Sequence, residues 1–96
     1  MKKSNEKNKT SKKADVILVI QKIVAHQLKK KPDQIMLQSR LKEDLGAESL
    51  DALEIIMSIE EAFDIQISEV EARKAIFIQD IVNFVETELK KGELLG

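Results

Sequence analysis

The sequence predicts an all-α fold: a small four-helix bundle, three longer helices and one short one, with a long loop between helices 1 and 2. Three observations carry that expectation. One residue in three is charged, while Gly and Pro number only three and one in 96 residues; with abundant Ile, Leu, Lys and Glu, this mix favours helix over sandwich or barrel. Apolar residues recur three and four apart along much of the chain, the period of a helix with one buried face. The only aromatic residues are three Phe, so the core is expected to be aliphatic. A domain this small buries a modest share of its surface, which leaves little room for a core and a catalytic cleft together.

Residues 1–13, MKKSNEKNKTSKK, have no apolar periodicity and read as a disordered basic tail ahead of a domain over residues 14–96. From Ala14 to about Lys30, Ile17, Ile20, Val24 and Leu28 recur at helical spacing, with Val16 and Ile23 beside them. Lys29, Lys30 and Lys31 suit the negative end of that helix, and Pro32 stops it. Residues 32–47 read as a loop pinned to the bundle by Ile35, Met36, Leu37, Leu41 and Leu45, with Gly46 giving the chain freedom before the next helix. Residues 48–63 form the second helix. Its core face is expected to be Ala52, Ile56, Ile59 and Phe63, and Leu50, Leu53 and Met57 make a second stripe. Ser68 and Glu71 match a capping box that opens a short third helix to about Lys74. Ile78, Ile81, Val82, Val85 and Leu89 predict a fourth helix to about Lys90, ended near Gly92.

The net charge of −1 hides an asymmetry. Residues 1–13 hold six lysines and one glutamate, a balance of +5, so residues 14–96, with ten bases and sixteen acids, carry −6. An acidic domain argues against nucleic-acid binding and for partners with basic patches. The longest apolar run, Val16 to Ile20, is too short to span a bilayer, so membrane insertion is not expected. It is also too short for a secretion signal and no A-x-A site follows, which points to the cytoplasm.

Catalysis fares poorly by elimination. There is no cysteine and a single histidine, His26, placed at the boundary of the first helix. Gly46-Ala47-Glu48-Ser49-Leu50-Asp51 lacks the flanking glycines of a G-x-S-x-G elbow, and no Gly-rich phosphate loop is present. The acids of the second helix read as a solvated face and not as a metal site. Ser49 stands apart. It lies where a long loop becomes a helix, and free amides with the positive dipole end favour a phosphate there. An ordinary serine at a helix start fits the position equally.

Residues 41–64, LKEDLGAESLDALEIIMSIEEAFD, resemble the core motif of acyl carrier proteins. The family pattern, roughly D-L-G-A-D-S-L-D followed by a helix ending in E-E-F-D, is met by Asp44 to Asp51 and by Glu60, Glu61, Phe63 and Asp64. The resemblance runs from the first helix to Val85. It implies that Ser49 carries 4′-phosphopantetheine, installed from coenzyme A by a magnesium-dependent phosphopantetheinyl transferase. It also implies that acyl groups ride on the arm as thioesters, in fatty acid biosynthesis, and that the protein is a monomeric carrier and not an enzyme. Glu48, Asp51, Glu54, Glu60 and Glu61 are then expected to steer basic enzyme surfaces, both the transferase and the acyl-chain synthesis and transfer enzymes. Leu50 and Met57 are expected at the apolar centre of docking, while Leu53 fits docking or packing under the loop. An acyl pocket would be lined by Ile56, Ile59, Val70 and Ala75, residues that fit an ordinary core equally.

The chain departs from the pattern in places. Glu48 replaces the usual Asp, Ser68 stands where Pro is common, and Ala75-Ile76-Phe77 leaves the fourth helix without its usual capping hydroxyl. These departures leave open a carrier dedicated to polyketide, aminoacyl or lipid-modification chemistry. An unmodified module that binds through its acidic helix is a more distant alternative.

Overall fold

A computed structural model describes residues 13–95; of the expected basic tail over residues 1–13, residues 1–12 lie outside the described residues, and Lys13 is instead the first residue of a helix. Four helices follow in order: α1 (Lys13–Leu28), α2 (Ser49–Phe63), α3 (Glu69–Lys74) and α4 (Ile78–Leu95), with a single 3-10 turn at Pro32–Gln34. Among the described residues there is no strand, only an isolated antiparallel bridge between Arg40 and Phe77.

The core is aliphatic, as composition requires. Val16, Ile20 and Val24 of α1 are fully buried at four-residue spacing. Ile17, Ile23 and Leu28 pack at its margin. The stripe is thus turned by one residue from the expected one, with Val16 and not Ile17 at its centre. His26, expected at the boundary, is exposed. α1 ends on Lys29, which is left-handed at φ 59°. Lys30 N–H then donates to the Ala25 carbonyl at 2.8 Å, which satisfies an orphan carbonyl of the last turn.

In α2 the buried residues are Ile55 and Ile59. Ile55, rather than Ile56, occupies the centre of the core face, and Ile56, Ala52 and Phe63 are half-buried around it. The last turn of α1 meets the first turns of α2 through Gln27, so the two helices lie side by side and antiparallel.

The long connection is pinned as expected by Ile35, Leu41 and Leu45, all buried. Gln21 Nε2 of α1 donates to the Ile35 carbonyl at 2.8 Å. Met36 departs from the expectation and is exposed, because its amide is bound to Ser39 Oγ in a tight turn that sends Ile35 inward instead. The loop is also laced to the start of α4 and the residues just before it: Leu41 N–H donates to Ile76 O, Ile78 N–H to Ser39 O, and Gln79 N–H to Leu37 O.

Ser68 Oγ accepts the Glu71 amide at 3.1 Å and starts α3, which buries no residue. The missing hydroxyl before α4 is replaced from the other side. One oxygen of Asp80, in the first turn of α4, accepts the amides of both Ile76 and Phe77 at 2.9 Å. α4 then buries Ile78, Ile81, Val82 and Val85. It does not end near Gly92 but continues to Leu95. Glycine weakens a helix without breaking it, and Gly92 does not take the left-handed conformation that caps one.

Candidate functional site

Ser49 is the first residue of α2, and its side chain is exposed. The turn leading to it is made by Gly46 at φ 74°, a left-handed conformation that costs a residue with a Cβ. Ala47 is buried and its amide donates to the Leu41 carbonyl at 3.0 Å, which anchors the loop two residues before Ser49. The first helical bond runs from Ala52 N–H to Glu48 O at 2.9 Å. The amides of Ser49, Leu50 and Asp51 precede it and point their partial positive charge out of the helix end.

Asp51 closes this turn. Its Oδ2 accepts the Glu48 amide at 3.1 Å. Its Oδ1 accepts from Gln27 Nε2 at 3.1 Å, and the same Gln27 nitrogen donates to Glu54 Oε1 at 2.9 Å. These hydrogen bonds, led by the Glu48 amide and helped by the charge of Lys29, hold the Asp51 carboxyl below its ordinary value of 3.8. Gln27 was not singled out in the sequence. It pairs with α2 only through the tertiary fold, and its own neighbours carry no signal of that.

Around Ser49 the other named residues divide. Glu48, Glu54 and Glu61 are exposed. Glu60 is half-buried, with one oxygen taken by the Ile67 amide at 2.8 Å, so part of its charge braces the loop between α2 and α3. Leu50, Leu53 and Met57 are 65%, 55% and 56% exposed, and none of them packs under the loop. Solvent-facing apolar residues in that number on one helix are uncommon unless they serve contact.

A groove of about 630 Å³ opens beside Ser49 between α2 and α3. Ser49, Leu53, Ile56 and Met57 line it from α2, Ala72 and Ala75 from α3 and the residue after it, and Leu41 and Lys42 from the loop before α2. Of the four residues expected around an acyl chain, Ile56 and Ala75 line this groove. Ile59 is instead fully buried in the core, and Val70 faces solvent at 62% exposure. A smaller hollow of about 170 Å³ adjoins the groove and shares Ile56, Ile67, Ala72, Ala75 and Ile81 with it. Phe84 and Ile81 form its α4 wall.

Among the described residues no group of His, Asp and Glu is arranged to hold a metal ion, and no helix is long and apolar enough to cross a membrane. The arrangement is suited to covalent attachment. An accessible hydroxyl sits at a positive helix end, an acidic surface surrounds it, and an apolar groove opens within its reach.

Comparison with known proteins agrees with that arrangement. Residues 19–85 match the family model described as a phosphopantetheine attachment site. The acyl carrier protein of Campylobacter concisus is 43% identical over 67 residues, which cover 70% of this chain and 87% of that protein. The acyl carrier protein of Campylobacter jejuni subsp. doylei is 43% identical over 72 residues, covering 75% of this chain and 92% of that one. A solved structure of the acyl carrier protein from Enterococcus faecalis superposes with a TM-score of 0.68 at 25% identity, covering 79% of this chain and 96% of the other. The chain therefore belongs to the acyl carrier protein family, with covalent 4′-phosphopantetheine as its prosthetic group and the carriage of acyl groups as its role.

Proposed function

We propose that Ser49 is the attachment point and that the protein serves fatty acid biosynthesis as a cytoplasmic carrier. The observation that supports this most is the exposed Ser49 hydroxyl on the first residue of α2, at the edge of an apolar groove. The residues fit the prosthetic group. The hydroxyl is free to be modified, the leading amides of α2 favour a phosphodiester, and the groove has room for an apolar chain. When bound, the group supplies the terminal thiol that this cysteine-free chain lacks.

The chain's own residues do three things. Ser49 offers its oxygen to the transferase. Glu48, Asp51, Glu54, Glu60 and Glu61 attract basic partner surfaces and orient them toward the mouth of α2. Leu50, Leu53 and Met57 give those partners an apolar centre to desolvate, the usual source of binding energy in a small interface. Ile56 and Ala75 line the space into which an acyl chain withdraws from water.

Intact-mass measurement after incubation with coenzyme A, magnesium and a phosphopantetheinyl transferase tests the assignment. One phosphopantetheine should be added to the native chain and none to Ser49→Ala. Absence of the adduct with every competent transferase, or its persistence in Ser49→Ala, would overturn it. A second reading, a carrier dedicated to another acyl chemistry, is favoured by Ile76 and Phe77, which are half-exposed where the family commonly has Thr. Identifying the thioester cargo on protein from native cells separates the two. Ordinary saturated chains alone exclude the second.

A further inference from the structure

Among the described residues, Gln27 is the one side chain outside α2 that holds the acidic surface beside Ser49 by hydrogen bonds, and the family's motif does not account for it. It stands in the last turn of α1, half-buried. A primary amide has two N–H groups, and both are used: one to Asp51 Oδ1 at 3.1 Å and one to Glu54 Oε1 at 2.9 Å. The other Asp51 oxygen accepts the Glu48 amide. Ser49 therefore lies inside a small ring closed between Glu48 and Asp51, and Gln27 ties that ring to the body of the protein.

Two consequences follow. Left alone, a helix end frays, and its first residue samples several orientations. Tied to α1, the turn bearing Ser49 is fixed relative to the core. In addition, Asp51 and Glu54 stand three apart on one helix and repel each other. A neutral donor shared between them offsets that repulsion without removing either negative charge, as a lysine there would.

We propose that Gln27 is a positioning residue for the modification of Ser49: from α1 it fixes the first turn of α2 and pairs Asp51 with Glu54 in the arrangement a phosphopantetheinyl transferase engages. This rests on the assignment of Ser49 as the attachment point. Transfer rate depends steeply on placement of the attacking oxygen, so the effect belongs in kcat. Pure electrostatics makes a different forecast, because it ties rate only to the net charge of the surface and acts through encounter and KM.

The test uses the full chain with coenzyme A, magnesium and a transferase, and reads initial rates by intact mass. Gln27→Met keeps the size and the charge but removes both donors. It should lower kcat about five- to tenfold, the worth of one or two net hydrogen bonds. Gln27→Lys keeps a donor while making the surface more basic. It should stay within about twofold of the native kcat while KM rises. Gln27→Glu adds negative charge and removes the donors. Positioning predicts that it is slower than native, whereas steering alone predicts that it is faster.

An independent readout needs no transferase: amide exchange at Glu48 in the unmodified chain should quicken in Gln27→Met. Native kcat in Gln27→Met, or a faster Gln27→Glu, overturns the proposal. Unchanged Glu48 exchange overturns it too. Failure of the underlying assignment looks different, because then the native chain gains no adduct or Ser49→Ala keeps one.

Discussion

At Gly46 the backbone is left-handed, yet a methyl group built there meets nothing within 4 Å. The demand for glycine is thus conformational and not steric. Gly46→Ala should cost about 1 kcal/mol, the penalty of an L-residue in that region, and Gly46→Asn should recover part of it, since Asn tolerates the conformation. Denaturant midpoints of the three proteins check both. Asp51 makes a second claim at this scale. Its folded pKa is held below the ordinary 3.8 by hydrogen bonds to the charged form. A depressed acid pKa contributes stability that is present above its unfolded value and is lost as pH falls through the folded one. The native chain should therefore lose stability as pH drops below about 3.8. Asp51→Asn should lose less over the same interval, as read from urea melts in that acid range and at neutral pH. Asp44, lowered first by the hydrogen bonds from the Arg40 side chain and amide and then by the Arg40 charge, contributes to the slope that remains.

Among the elements, α4 shows how much a sequence tells and where it falls silent. Its apolar period is plain from Ile78 to Leu89, but Gly92, which the sequence offers as a stop, lies inside a helix that runs to Leu95. Gly92 is simply a weak helical residue, and a methyl group there meets only open space. Gly92→Ala should therefore stabilise the protein by up to about 1 kcal/mol. This is the opposite sign to the same substitution at Gly46, and a rise in thermal midpoint checks it. Periodicity also locates α2 but points to Ile56 on the core face, where the structure buries the adjacent Ile55. A period of 3.6 accommodates either register, and the choice is made by packing against α1 and by Gln27 reaching Asp51 and Glu54. The apolar period also marks the start of α4 at Ile78, but the group that caps it is not legible. Its cap, Asp80, lies after the amides it satisfies, where a search for a preceding hydroxyl does not look. Ser49 and its acidic surroundings were legible because they are contiguous in the chain. Gln27 and Ala72 were not, because only the fold brings them there, whereas Ala75, expected around an acyl chain, does line the groove.

Over the whole molecule the decisive quantity is how charge is divided. Residues 14–96 carry −6 and residues 1–13 carry +5, so a basic partner approaching from a distance meets a nearly neutral chain. Only within a Debye length, about 10 Å at 0.1 M salt, does the acidic surface of α2 stand out from the rest. Residues 1–12 hold five lysines and one glutamate, and a chain lacking them has a formal charge of −5 in place of −1. Long-range attraction to a basic transferase should then be stronger. The shortened chain should associate several-fold faster than the full chain at about 0.01 M salt, where screening reaches roughly 30 Å. At about 1 M salt the screening length falls to roughly 3 Å, and the two rates should converge. Stopped-flow association rates over that range check it. Converging rates with unchanged dissociation would place the lysines in the long-range field. A difference that persists at high salt would instead mean that residues 1–12 touch the partner or α2 directly, and the division of charge would then act by contact and not at a distance.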